Sequence, residues 1–468
     1  MRGASVLVAA AVSVVGLAGS GAPPSAPQSP GEGRPPADKD AAGPPAVKKA
    51  DAKVSRLIGE LGADDYRVRE RAGRDLTALG EKALPEMRRA WADSDSPEVR
   101  QRLAVLIRKI DRERLTAPTR VTLSVKDRTA KQIFAEIARQ TGYKIDYSGG
   151  GPGDDARHSF EFVDTPFWVA VDRVATAAGC VAGTDSDDAT VHISHQDNFD
   201  PYVAYAGPFR FVALRIESSH GVQLSGIPRR GGSGHQSDSQ LFFNFLIQSE
   251  PKNPMLGVTH VEVLAARDDT GGSLPPLRHE AGRHLYETRG GLTYVTPTSL
   301  LLRAPGNRSA TTLQSLRVKV GVILQSGRVP EIVIPDPLAK KGQKYVGRTF
   351  EVDFAGLNPN PNNKRGYLLE ATFRQLAFSD PNRPDYDWVD SFAQKVEVQD
   401  EAGNCYQNYG LDNVTLDGNA AQVTIRFNNT DRRTGRPLKL GRPVKLVVYE
   451  WLSVIHEVTF EFKDIPLP

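Results

Sequence analysis

The stretch Leu316–Gln325, LRVKVGVILQ, decides the architecture of the C-terminal part of this chain. Leu316, Val318, Val320, Val322 and Leu324 fall in one register, while Arg317, Lys319 and Gln325 occupy the other. This is the alternation of a strand with one face in a core and the other in water. The end of the chain repeats it, with Val458, Phe460 and Phe462 set against Glu457, Glu461 and Lys463. From about Pro201 onward, period-two runs and turn signals replace helical spacing almost entirely, which predicts antiparallel β-sandwiches. A duplication is visible within this region. VEVLAARDDTGGSL from Val261 parallels VEVQDEAGNCY from Val396, and VIPDPL from Val333 parallels FKDIPL from Phe462.

The duplication predicts two tandem β-sandwiches, residues 201–340 and 341–468, each about the size of an immunoglobulin-like domain with roughly seven strands. Upstream the pattern changes. Between Thr119 and Ser194, Val121, Leu123 and Val125 alternate as a strand. Thr129 caps a helix bearing Ile133, Phe134 and Ile137, Gly142 stops it, and Tyr143, Ile145 and Tyr147 alternate again. A second unit follows the same plan. Phe160 and Phe162 form its strand, Thr165-Pro166 opens a helix with Val169, Val171 and Val174, and Gly179 closes it. The duplicated strings VKDRTAKQIFAEIARQTGY and FVDTPFWVAVDRVATAAGC make residues 119–196 an α+β module. The module resembles the short N-terminal domain of secretins and TonB-dependent receptors. That resemblance implies contact with partner proteins in the periplasm; no barrel- or pore-forming region follows, so pore formation and uptake do not carry over.

Residues 51–115 read as helices throughout. Val54, Leu57, Ile58 and Leu61 recur at helical spacing; Val68, Ala72, Leu76 and Leu79 form a second stripe ending at Gly80; Leu84, Met87 and Trp91 form a third. The fourth begins at Ser96-Pro97-Glu98, an N-cap, a first-turn proline and a dipole-matched acid, ahead of Val99, Leu103, Leu106 and Ile110. VRERA at Val68 returns as VRQRL at Val99. The segment resembles HEAT-like repeats, which implies a small stack of antiparallel helix pairs of a kind that binds other proteins.

The full chain of 468 residues has 59 basic and 56 acidic side chains, a balance that creates no field for nucleic acid or anionic lipid. Arg2, the apolar run Val6 to Leu17 and Ala18-Gly19-Ser20 read as a secretory signal over residues 1–20. The run falls short of the roughly 20 apolar residues a bilayer span needs. Residues 21–50, rich in Pro, Ala and Gly, read as a disordered linker. Cys180 and Cys405 fall in different modules, so no disulfide is expected.

Each string that suggests chemistry meets a physical objection. Asp269-Thr270-Gly271 matches the aspartic-protease signature, but Arg267 and Asp268 precede it, and its duplicate, Asp400-Glu401-Ala402-Gly403, lacks the threonine. Both strings read as hairpin turns. His192 and His195, three apart on a strand, point to opposite faces. His279-Glu280 with His284 has one residue too many for the zinc-helix spacing, and Gly282 opposes the helix itself. Gly231 to His235 lacks the nucleophile-elbow spacing. Asp185, Asp187 and Asp188 read as a solvated hairpin, and Gln223 to Gln240, with Arg229, Arg230 and His235, as a long loop. No catalytic, cofactor or metal residue is assigned, and no cofactor is expected. The expected function is an exported envelope scaffold, periplasmic or secreted, that binds other envelope proteins. Two alternatives stand beside it: an accessory subunit of an envelope secretion or uptake system, and a hydrolase or glycan-binding protein acting on an envelope polymer.

Overall fold

The computed structural model describes residues 45–149, 151, 153–185, 188–196, 202–223, 236–277, 286–287, 291–305, 309–376, 387–432 and 434–468. Among them β-structure predominates, in several antiparallel sheets. The region read as secretory signal and most of that read as linker lie outside the described residues.

The helical segment contains α1 (Pro45–Glu60), α2 (Tyr66–Leu79), α3 (Leu84–Asp93) and α4 (Pro97–Thr116). Asp65 caps α2 by accepting from the Arg67 amide, and Ser96 caps α4 by accepting from that of Val99. Leu57, Leu61, Ala72, Leu76, Met87, Leu103 and Ile107 fill a shared core. On α4 the buried set is Leu103, Ile107, Ile110, Asp111 and Leu115, whereas Leu106 is only half-buried. The burial stripe is rotated from the expected one because the C-terminal half of α4 also packs on the β-rich part of the chain, where Leu115 enters the core formed by Phe209, Phe243 and Val318.

The next layer runs β1 (Arg120–Thr129), α5 (Ala130–Thr141), β2 (Ile145–Ser148), β3 (Arg157–Pro166), α6 (Phe167–Ala177), β4 (Cys180–Thr184) and β5 (Val191–His195). Thr129 and Gln132 form a reciprocal capping box at the start of α5, and Gly142 ends that helix in the left-handed conformation, φ 72°. β1 pairs antiparallel with β3, and β2, β5 and β4 form a second small sheet in which β2 and β5 are parallel. Ile133, Phe134, Phe162, Phe167, Trp168 and Val171 lie at the centre.

The β body contains β6 (Val203–Ala206), β7 (Phe209–Gln223), β8 (Gln236–Ser249), β9 (Met255–Asp268), β10 (Tyr286–Glu287), β11 (Val295–Arg303) and β12 (Thr312–Pro335). It continues with β13 (Gln343–Val346), β14 (Phe350–Asn360), β15 (Asn363–Gln375), a short helix α7 (Asp387–Phe392), β16 (Val396–Asp400), β17 (Gln407–Asp417), β18 (Ala420–Asn428) and β19 (Pro443–Pro466). The sheet orders are β11-β8-β7-β6, β13-β14-β15-β18-β17 and β10-β9-β12-β19-β16. Two halves of the body share one pairing scheme: β6–β7–β8–β11 with β9–β12 in the first, β13–β14–β15–β18 with β16–β19 in the second.

The halves are joined through β12 and β19, each 24 residues long and paired antiparallel from Thr312↔Pro466 to Pro335↔Lys445. The start of β12 pairs with β9 inside the first core, and its end supplies Ile332 and Ile334 to the second. The start of β19 pairs with β16 inside the second core, and its end supplies Val458, Phe460, Phe462 and Ile465 to the first. The chain therefore passes between cores within β12, between Leu324 and Ile332, and returns within β19. A division at Lys341 does not separate the cores, because two consecutive apolar-alternating runs within one strand serve different cores.

Candidate interaction surface

The strings that suggested chemistry lie apart from one another or outside the described residues. Asp269 to Gly271 forms a turn after β9. Asp268, not Asp269, organises it, with Oδ1 accepting from the Thr270 amide at 3.0 Å and the Gly272 amide at 2.7 Å, while Gly271 takes φ 83°. Asp400 repeats the arrangement after β16, accepting from the amides of Ala402 at 3.0 Å and Asn404 at 2.8 Å, with Gly403 at φ 80°. Asp269 instead accepts from the Thr311 amide and hydroxyl, contacts that hold its carboxyl below the ordinary aspartate range.

His192 Nε2 lies 3.2 Å from Asp185 Oδ2, and its Nδ1 lies 3.7 Å from Asp146 Oδ2. Asp188 turns away to accept from the Thr190 amide and hydroxyl. His279, Glu280, His284, Arg229, Arg230, Gly231 to His235 and Asp187 lie outside the described residues. Cys180 and Cys405 are unbridged, and burial pushes both thiols up, the wrong direction for a nucleophile.

Sequence reasoning missed the charged groups buried at the joints between layers. Arg88 on α3 donates to both oxygens of Asp111 on α4, at 2.7 and 2.9 Å, and also to the Ser326 carbonyl in the middle of β12. Arg210 on β7 donates at 2.7 Å to Asp172 on α6, at 2.9 Å to the Ala182 carbonyl and at 2.5 Å to Gln248. Glu250, fully buried after β8, accepts the Thr119 amide at 3.0 Å and the Tyr143 hydroxyl at 2.9 Å. In the same loop, Asn253 and Lys252 donate to the carbonyls of Leu115 and Ala117, capping the end of α4. Burial pushes the carboxyls of Asp111, Asp172 and Glu250 up. These clusters lie at the joints, and most of their donors and acceptors fasten one layer to the next, though Arg88 Nε and Asn253 Oδ1 are buried without a hydrogen-bond partner among the described residues. Asp111 had a signal in the sequence, since it stands four residues after Ile107 and four before Leu115, inside an apolar stripe.

An open feature lies on the helical segment. A furrow runs between α2 and α4, formed by two adjoining openings of about 460 and 390 Å3 that share Glu70, Gly73 and Leu106. Gly73 lies on its floor opposite Leu106, where a Cβ would meet Leu106 Cδ2 at 3.8 Å, an ordinary contact, and a larger side chain would fill the space. Val105 stands beside it with 55% of its surface exposed. Glu98 on the rim is paired with Arg102 at 2.6 Å, whereas Arg74 and Lys109 at the other end are exposed. Comparison of the chain with protein-family models, curated proteins and solved structures finds no match.

Proposed function

We propose that this chain is an exported scaffold of the cell envelope, which holds partner proteins through its helical and α/β layers while the β body serves as a spacer. The observation that carries this reading is the open furrow between α2 and α4, with an exposed valine beside it and charges on its rim. The contrast with the rest of the polar inventory supports it. The buried ionic groups hold layers together, whereas the furrow presents apolar floor and charge to the outside. The HEAT-like resemblance of residues 51–115 points the same way, as does the secretin-type resemblance of residues 119–196.

The test is affinity capture with the full tagged chain from envelope extract of the source organism, read by quantitative mass spectrometry beside a Val105→Glu variant. The expected result is a small set of proteins retained by the parent chain and lost by the variant. Retention of envelope polymer alone, or of the same proteins by both forms, would sink the proposal.

A further inference from the structure

We infer that the α2–α4 furrow receives one amphipathic helix of about three turns from a partner protein, with an apolar ridge flanked by aspartate and glutamate. This rests on the scaffold reading and names the class of its partner. Along α4 the furrow extends from Glu98 to Lys109, about 16 Å at 1.5 Å per residue, the length of roughly three helical turns.

The walls decide between a helix and an extended peptide. Both are α-helices, whose interior N–H and C=O groups are consumed by their own ladders. An extended occupant would find no unpaired backbone edge on either wall and would have to meet its donors and acceptors with side chains such as Gln101, Arg69 and Thr77, at about 1–3 kcal/mol for each buried group left unpaired. A helix arrives with those groups already satisfied. Its side chains at i, i+3 or i+4 and i+7 present one apolar ridge, which matches the floor at Gly73 and Leu106 and the exposed Val105.

Charge decides the flanks. α2 and α4 together carry ten arginines and lysines against five acids, in a chain whose 59 basic and 56 acidic residues nearly cancel. Of those acids, Asp111 is buried against Arg88, Glu98 is tied to Arg102, and Glu70 lines the furrow, where Arg69, Arg74, Arg102 and Lys109 outnumber it and Glu98. Arg74 and Lys109 lie at the furrow and have no ion-pair partner among the described residues. An acidic flank would meet both, and such rim pairing weakens as salt is added.

The experiment is selection of peptides from a displayed library of random 14-residue sequences on the full parent chain, followed by fluorescence anisotropy with the recovered peptides (the library length is about that of a three-turn helix with its caps). The expected sequences carry apolar residues at i, i+3 or i+4 and i+7 with Asp or Glu beside them. They bind more weakly as salt rises and lose roughly tenfold or more in affinity for an Arg74→Glu/Lys109→Glu double variant. Gly73→Leu, which fills the floor, abolishes binding. The double variant changes exposed side chains alone, so its helix content and melting should match the parent and keep the test valid even where Gly73→Leu disturbs α2. Basic or proline-interrupted peptides that Gly73→Leu excludes would overturn the acidic helix and leave the scaffold reading standing. Recovery of no peptide, or of peptides indifferent to all of these changes, would overturn both.

Discussion

The Tyr143 hydroxyl donates to Glu250 Oε2 at 2.9 Å, across the joint between the α/β layer and the first β core. Burial pushes the Glu250 carboxyl up, so the folded chain holds that proton more tightly than the unfolded chain does. Between the ordinary value of about 4.3 and the raised one, stability therefore falls as pH rises. The contribution is complete only below the ordinary value. Glu250→Gln, which has no such proton, should show a flatter fall in denaturant midpoint from mild acid toward neutrality. Midpoints at a series of pH values read this directly, and parallel profiles for the two proteins would refute it.

The Arg88 guanidinium covers Gly327, where an added Cβ would stand 2.8 Å from Arg88 Cζ. Gly327→Val should displace Arg88 and leave Asp111, whose side chain is 1% exposed, with only the longer contact to Arg114 at 3.7 Å. Arg88→Met does the same more directly and should cost up to about 3 kcal/mol, the low end for a buried charge that loses its closest partner, since Arg114 remains beside Asp111. Adding Asp111→Leu should recover most of that loss. A double-mutant cycle by urea unfolding measures the coupling, and additive losses would show that the pair does not act as a unit.

What was legible in the sequence follows the range of each interaction. The Thr129 cap, the Gly142 stop and the turns at Gly271 and Gly403 are decided within a few residues, and local chemistry placed them where they are found. The alternation through Leu316 to Leu324 was likewise legible as a strand. What that alternation cannot carry is which core it faces, since Leu324 and Ile332 share one strand and enter different cores. The joints were illegible for the same reason: Glu250 meets a backbone amide 131 residues earlier in the chain. The furrow depends on the spacing of two helices around Gly73, and a glycine inside a helical stripe signals that only weakly.

Asp400 should behave oppositely to Glu250 in acid. Donation from the Gly441 amide, joined by Asn404 and the Ala402 amide, holds its carboxyl below the ordinary aspartate range. Its stabilising effect is present above the unfolded value of about 3.9 and is lost as pH falls through the depressed folded value. Asp400→Ala should lower the melting temperature at neutral pH, with the gap to the parent narrowing in strong acid. The neighbouring Glu401→Ala, at an exposed turn position, should change neither. Calorimetry at several pH values checks both, and a gap independent of pH would place the role of Asp400 elsewhere.

The exchange between β12 and β19 makes its own prediction about the last residues of the chain. Phe460, on the far half of β19, stacks on Phe211 of β7 with centroids 3.6 Å apart, and packs against Phe245 and Phe462 as well. Phe460→Ala should cost about 3–5 kcal/mol through the cavity it leaves. A chain ending at Glu450 would keep Leu446 and Val448 in the second core but remove Val458, Phe460, Phe462 and Ile465 from the first. Amide hydrogen exchange on that truncated chain should show protection lost in β9 and in the first half of β12, elements far earlier in sequence, while β14 and β15 keep theirs. If the loss instead fell on β14, β15 and β18, the end of β19 would belong energetically to the second core alone. In that case the first core would not depend on the end of β19, and the pairing from Thr312↔Pro466 onward would contribute nothing to it.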